Sequence, residues 1–309
     1  MVQNENKLNL SIIICTYKRY DLTINCLKYL AKQNCDRKKF EILVIDNTPA
    51  QFRESIDWAS HGVDRFYIEE ISGLSRARNR GIREAKNNII AFIDDDAEAI
   101  EGWCKDLLNV FEKNPEVLVV GGRVEAKYPI ERPLWLTTKL EGYLSCIDWG
   151  KETKAIESGQ WIVGANMAFR KEVFEKYGIF DEGLGRVGHS NLMGNEEIKL
   201  ISLLPKNSVF YSYEPLVYHL IPEDRMKQVW FRKRAYWQAI SDLMAGLVPP
   251  DSSKYFFEQF SSKLVSVKAE YRSFKAFNHH CDTGEQIENQ LSLIYNYAIA
   301  NGMGLDDIK

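Results

Sequence analysis

The chain has 309 residues, 45% hydrophobic and 27% charged, with 40 basic against 43 acidic side chains and a formal net charge of −3. That composition is ordinary for a folded globular protein and excludes wholesale disorder, collagen and coiled-coil classes. The near-neutral balance argues against a dominant basic nucleic-acid footprint but leaves room for a local site for a small phosphorylated ligand.

The first third alternates strands and helices. Leu10–Thr16 (LSIIICT) is a continuous β-branched run of the kind found in strands covered on both faces. Asp21–Gln33 places Leu22, Cys26, Leu27 and Leu30 at helical spacing. Phe40–Ile45 reads as a second buried strand ending at Asp46, Arg65–Ile68 as a short third strand, Ser75–Lys86 as a helix, and Ile89–Ile93 as a strand closed by Asp94, Asp95 and Asp96. Trp103–Phe111 is expected to be helical and Val117–Val120 a strand. This order predicts an α/β fold with a largely parallel sheet and helices on both faces, in which ligands bind beyond the carboxyl ends of the strands. Three strands end at Thr16-Tyr17, Asp46-Asn47 and Asp94–Asp96, so polar groups collect at one edge.

Beyond Gly122 the pattern loosens. Tyr128–Trp149 is aromatic-rich, contains Pro129 and Pro133, and reads as a loop over the site. Ile162–Phe169 and Val209–Tyr213 read as strands, Lys171–Tyr177 and Glu196–Leu204 as helices. From Glu223 only helices are expected, over Arg225–Ala245, Lys254–Phe274 and Thr283–Ala300. The expected division is therefore 1–222 for the sheet domain and 223–309 for a helical extension. The six cysteines form no Cys-x-x-Cys pair, which argues against zinc-ribbon and redox motifs. The polar stretch Met1–Asn9 lacks a signal-peptide core, and no apolar run approaches the ~20 residues of a membrane span. A cytoplasmic protein is expected, with peripheral contact at the inner membrane face open to it through Arg232, Lys233 and Arg234.

Five features carry chemistry. Adjacent carboxylates Asp94, Asp95 and Asp96 repel one another unless a cation is near. Such a triplet is ordinarily a solvated turn, but the buried strand before it favours an oxygen site for Mg²⁺ or Mn²⁺. Gly73–Gly81 (GLSRARNRG) offers arginines for a diphosphate, against the plainer reading of a solvated basic helix face; Gly81 inside a helix implies the close approach of another backbone. Glu196 and Glu197 are a general-base candidate or simply acids at a helix start. His219 is a structural imidazole or, with the Asp cluster, a Mn²⁺ ligand. Trp230–Trp237 interleaves aromatic and basic residues and is read first as a packed helix burying Val229, Trp230, Trp237, Ile240 and Met244, with an anionic membrane or a glycan as the alternative.

Taken together, these residues resemble a family 2 glycosyltransferase of the GT-A fold. The resemblance rests on Ser11–Arg19 (SIIICTYKR), Leu43–Asn47 (LVIDN), Gly73–Gly81, Phe92–Asp96 (FIDDD), and Gly164–Arg170 (GANMAFR) followed by Gly194–Glu197 (GNEE), in that order, and covers about Leu8 to Pro222. It implies an inverting enzyme with a nucleotide-sugar donor, a uridine diphosphate sugar foremost, and a glycan or lipid-linked acceptor. It places Thr16, Tyr17 and Arg19 along the nucleoside, Asp46 at the base, and Arg78 and Asn79 near the nucleotide and diphosphate. Asp94 falls on the ribose side with Asp95 beside it, Asp96 on a Mn²⁺ or Mg²⁺ ion, and His219 at a third metal position. Glu197 aligns with the second acid of the family's Glu-Asp pair, the catalytic base, with Glu196 as the alternative. A nucleotidyltransferase and a Rossmann oxidoreductase are disfavoured, because no Gly-rich loop follows the first strand. A non-catalytic nucleotide- or glycan-binding module on the same fold is disfavoured by the presence of both acid groups.

Overall fold

Three apolar runs of the N-terminal third form strands β1 (Leu10–Thr16), β2 (Phe40–Asp46) and β4 (Ile89–Ile93), with the short β3 (Arg65–Ile68) beside β2. The computed structural model describes residues 8–188, 191–249 and 252–302; part of the polar stretch Met1–Asn9 lies outside them. These four strands are parallel neighbours in the order β3-β2-β1-β4, with Thr16 opposite Asp46. Side chains alternate across the sheet, so each run feeds two cores. Ile12, Ile14, Ile42, Val44, Ala91 and Ile93 pack into the larger core, and Ile13, Leu43, Ile45, Ile90 and Phe92 into the other. Helices α1 (Tyr20–Leu30) and α3 (Trp103–Lys113) cover the first face, α2 (Leu74–Glu84) and α4 (Glu172–Tyr177) the second.

The rest of the sheet is mixed. Strands β5 (Ala97–Ala99), β6 (Val119–Lys127), β7 (Lys154–Ala155), β8 (Asn166–Arg170) and β9 (Val209–Leu220) complete it. β8 runs antiparallel between β4 and β6, β6 and β9 are parallel, and β5 and β7 add antiparallel to β9. The parallel expectation thus holds for the first four strands and for β6 with β9. The short β5 has no hydrophobic periodicity of its own and was not expected; its register Ala97↔His219 is what brings Asp96 to His219. β9 runs seven residues beyond the expected Tyr213, past Pro215, and β6 extends to Lys127 with a register irregularity between Gly122 and Val124. β8 begins at Asn166, not Ile162, because the Asn166 amide closes a turn on the Val163 carbonyl. Within Tyr128–Trp149 a 3₁₀ segment forms over Thr138–Leu144. Gly81 is explained differently from expectation. A Cβ there would lie 2.6 Å from Ile13 Cγ2, so the close approach comes from a side chain of β1 and not from backbone.

The C-terminal helices are α6 (Gln228–Met244), α7 (Ser253–Ser266) and α8 (Gly284–Gly302), after a short α5 (Glu196–Ile201). α7 ends eight residues before the expected Phe274. Trp230, Phe231 and Ala235 of α6 and Ile287, Leu291 and Ile294 of α8 share the larger core with the sheet. The buried face of α6 runs through Gln228, Phe231, Ala235 and Ala239, whereas Val229 and Met244, expected inside, are exposed. Among the described residues no helix is long and apolar enough to cross a membrane.

Candidate active site

A cavity of about 1240 Å³ opens at the carboxyl ends of β1 and β4, and α5, α6 and α8 complete its wall. Thr16, Tyr17, Arg19, Arg78, Asp94, Asp95, Asp96, Glu196, Glu197 and His219 all line it, bringing together ten of the twelve residues expected there.

Asp46 and Asn79 stand behind the wall. Asp46 accepts hydrogen bonds from the Tyr20 hydroxyl at 2.8 Å and the Thr48 amide at 2.9 Å, so its carboxylate shapes the turn after β2 and does not itself line the cavity. Its neighbour Asn47 lines the cavity. Asn79 is fully buried; its side chain donates to the Phe180 carbonyl and accepts from the Phe180 amide. It ties α2 to the loop before α5, which corrects its expected place near the diphosphate.

At the end of β4, Arg19 pairs with both Asp95 and Asp96, the latter at 2.6 Å. It therefore crosses the carboxylate cluster instead of lying only along the nucleoside. Burial raises the Asp95 carboxyl above the usual range, against the pull of Arg19 and with the push of Asp96 and Asp94. Burial opposes ionisation of Asp96 too, but His219, Arg19 and Arg225 together hold it well below the usual range.

His219 lies on β9, and its Nδ1 is 2.8 Å from the Leu144 carbonyl. A carbonyl only accepts, so Nδ1 carries a proton and Nε2 is the ring nitrogen turned toward Asp96. Nε2 lies 3.3 Å from Asp96 Oδ1, a buried oxygen that accepts no hydrogen bond. An imidazole nitrogen and a carboxylate oxygen at this separation are ligand types that a divalent cation such as Mn²⁺ accepts. Among the described residues no group of three or more His, Cys, Asp or Glu gathers as a metal cluster, so any further ligands would come from a bound molecule or water.

The acid pair opens α5 behind Asn195, which adopts a left-handed backbone (φ 71°) that asparagine tolerates. The turn is gripped from α6: Gly194 N–H donates to Ser241 Oγ at 3.0 Å, and the Asn195 amide donates to Asp242 at 2.5 Å. Glu196, 4% exposed, accepts from Arg78 Nη1 at 2.5 Å, and Arg78 Nη2 also reaches Asp94 at 3.3 Å. A Cβ on Gly164 would lie 2.2 Å from Arg78 Nη2, so glycine is needed there to admit the guanidinium. Glu197 has no such partner, and its buried Oε2 accepts no hydrogen bond. Burial, then repulsion from Glu196, push its carboxyl up to about 8, against the attraction of Arg78.

Arg186, Arg225 and Arg234 line the same cavity; Arg186 and Arg225 carried no motif in the sequence, and Arg234 was read only within the aromatic and basic run Trp230–Trp237. Arg225 reaches Asp96 Oδ2 at 4.0 Å. The proposed membrane-facing trio is not a surface patch: Arg232 hydrogen-bonds Gln290, Gln228 and the His279 carbonyl, Arg234 turns into the cavity, and Lys233 alone is exposed.

A mixed sheet whose first strands deliver carboxylates to one crevice, flanked by helices, is the GT-A architecture, and solved structures share it. S. aureus TarS 1-349 in complex with UDP-GlcNAc superposes with a TM-score of 0.55 at 15% identity, over 96% of this chain and 91% of that one. The mannosyltransferase PcManGT from Pyrobaculum calidifontis, in complex with GDP-Man and Mn²⁺, gives 0.51 at 18% identity over 97% and 76%. In sequence, the glucosyl-dolichyl phosphate glucuronosyltransferase of Haloferax volcanii is 25% identical over 254 residues, 80% of each chain. The chain belongs to glycosyl transferase family 2, whose family model matches residues 11–178, and is a glycosyltransferase that acts on nucleotide-sugar donors.

Proposed function

We propose that the chain moves a sugar from a uridine diphosphate sugar to a hydroxyl of a glycan or lipid-linked acceptor, with inversion, using Glu197 as base and a Mn²⁺ or Mg²⁺ ion held by Asp96 and His219. The observation that carries this reading is Arg78, whose one guanidinium touches Asp94 and Glu196. The strand-end carboxylates and the acid pair therefore border one cavity, of about 1240 Å³.

Tyr17, Thr16 and Asn47 line the nucleoside end, with Asp46 supporting them from behind. A bound divalent ion would neutralise charge on the diphosphate as it leaves. Arg19 and Arg225, already on Asp96, are placed to share that charge. Glu197 takes the proton of the acceptor hydroxyl, the oxygen bonds to the anomeric carbon, and the bond from that carbon to the diphosphate breaks. The nucleoside diphosphate departs with the electron pair, and one displacement inverts the centre. Glu196 stays bound to Arg78 and keeps the pair's second carboxylate out of the reaction.

The Haloferax relative is named for a lipid-phosphate-linked sugar, which supports a lipid-linked acceptor here. Such an acceptor implies peripheral residence at the inner membrane face, and the exposed Tyr255, Phe257 and Val265 of α7 offer apolar contacts there. Calorimetric titration with UDP, GDP and their sugar conjugates, with and without Mn²⁺, tests the reading. Tight binding confined to uridine nucleotides and strengthened by Mn²⁺ is expected; no nucleotide binding would overturn it.

A further inference from the structure

The charges in the cavity are mostly paired. Arg19 holds Asp95 and Asp96, and Arg78 holds Glu196 and Asp94. Arg234 and Arg186 stand outside these pairs: among the described residues neither forms an ion pair, and neither guanidinium donates a hydrogen bond. Arg234 Nη1 is fully buried in that unpartnered state.

The nearby acids are already committed. Asp242 accepts from Asn195, Gln238 and Tyr295, and Glu196 belongs to Arg78. Glu197 is pushed toward its neutral form by burial and by Glu196. Arg186 is half-buried and is pulled down to about 9 by burial and by the repulsion of Arg225 and Arg234. Taking a guanidinium out of water without an anion is costly. Two such groups lining one cavity are kept there at the expense of the empty protein's stability, and an anionic ligand removes that penalty.

The position of Arg234 separates this demand from the donor diphosphate. Arg225 and Arg19 lie on Asp96, at the diphosphate end. Arg234 projects from α6 beside the acid pair: its Nη2 lies 3.5 Å from where a Cβ on Gly194 would stand, two residues before Glu196. Arg186 lines the same cavity from the segment between α4 and α5.

We propose that Arg234, supported by Arg186, forms a second anion subsite on the base side of the cavity, which recognises an acidic group on the molecules being joined: a carboxylate of the transferred sugar or a phosphate of the acceptor. The proposal rests on the nucleotide-sugar reading above and names the substrate chemistry it leaves open. Both acids offer paired oxygens to a planar guanidinium fork, which binds them more strongly and more selectively than a neutral hydroxyl.

The test uses the full chain with Mn²⁺ and two matched probe pairs, read by calorimetry. UDP-glucuronic acid against UDP-glucose reports a sugar carboxylate. Farnesyl phosphate against farnesol, each added to UDP-loaded protein, reports an acceptor phosphate. The wild type is expected to prefer the acidic member of one pair by ~10-fold or more, and that pair identifies the source. Arg234→Gln should abolish the preference and leave the affinity for UDP within about threefold. Its ligand-free melting temperature should hold or rise, because an unpaired buried charge is removed. Absence of preference in both pairs overturns the subsite. So does an Arg234→Gln protein that loses UDP affinity as much as acidic-probe affinity, which would assign Arg234 to the diphosphate. A lowered melting temperature with the preference intact would make Arg234 a structural residue. If no uridine nucleotide binds at all, the donor reading fails instead, a result distinct from failure of the subsite.

Discussion

Arg78 donates to Glu196 at 2.5 Å and leaves Glu197, the next residue on the same helix, with no partner for its buried Oε2. Neighbouring helical residues point about 100° apart, so one arginine serves only one of the two. The pair is thereby divided into a carboxylate held by an arginine and one that no arginine pairs. Glu196→Gln should strip Arg78 of its main counter-charge and lower stability by about 3 kcal/mol, since Asp94 remains as a weaker partner. Glu197→Gln should leave stability at neutral pH unchanged or higher. Urea denaturation of both variants checks the division; equal losses would contradict it.

The second carboxylate makes the protein's stability depend on pH in a set direction. The Glu197 carboxyl is raised from an ordinary 4.5 to about 8 in the folded chain. Between those values the folded state binds more protons than the unfolded state, so this contribution is full below about pH 4.5 and is lost as pH rises through about 8. The melting temperature of wild type should carry this decline, and Glu197→Gln should remove it. A base must be ionised to act, so kcat/KM should rise with pH toward about 8. A flat difference between the two melting curves would contradict the assignment.

Asp96 and His219 should act as one unit toward a divalent ion. Asp96→Ala and His219→Ala should each abolish the strengthening of UDP binding by Mn²⁺, bringing its affinity to the value measured in EDTA. Mn²⁺-dependent binding that survives in both variants would remove the pair from the metal site.

Asn79 separates position in a motif from contact with a ligand. Its side chain holds both the amide and the carbonyl of Phe180. Asn79→Ala leaves two buried backbone groups unpaired and should cost about 1–3 kcal/mol of stability. The affinity of the folded protein for UDP should be unchanged. A selective loss of UDP affinity at full stability would return Asn79 to the nucleotide.

The first half of the fold was legible because its strands are buried on both faces. Leu10–Thr16, Phe40–Asp46 and Ile89–Ile93 read as continuous apolar runs, and their polar ends fix the edge where Tyr17, Asn47 and Asp94–Asp96 gather. The site's acids and His219 were legible as strand-end or helix-start residues within ordered motifs. What escaped depends on contacts between distant segments. β5 is three residues long and exists through its pairing with β9. Asp46 and Asn79 carry motif identities, but Tyr20 and Phe180, which engage them, lie 26 and 101 residues away in the chain. Arg234 sat within an aromatic and basic run whose inward face was placed on Val229, Trp230, Trp237, Ile240 and Met244; Trp230 is buried, but the stripe runs through Phe231 and Ala235, and Arg234 turns into the cavity. The Asp242–Asn195 bond, through which α6 sets the turn before the acid pair, spans 47 residues and leaves no local signal.

As proposed above, Glu197 removes the acceptor proton. Single-turnover transfer from saturating donor, measured for wild type, Glu197→Gln and Glu196→Gln, tests it most directly. Glu197→Gln keeps the shape of the side chain and should bind donor as wild type does while transferring ~10²-fold more slowly or worse. Transfer by Glu197→Gln at the wild-type rate, with collapse in Glu196→Gln, would contradict the account and move the base by one residue.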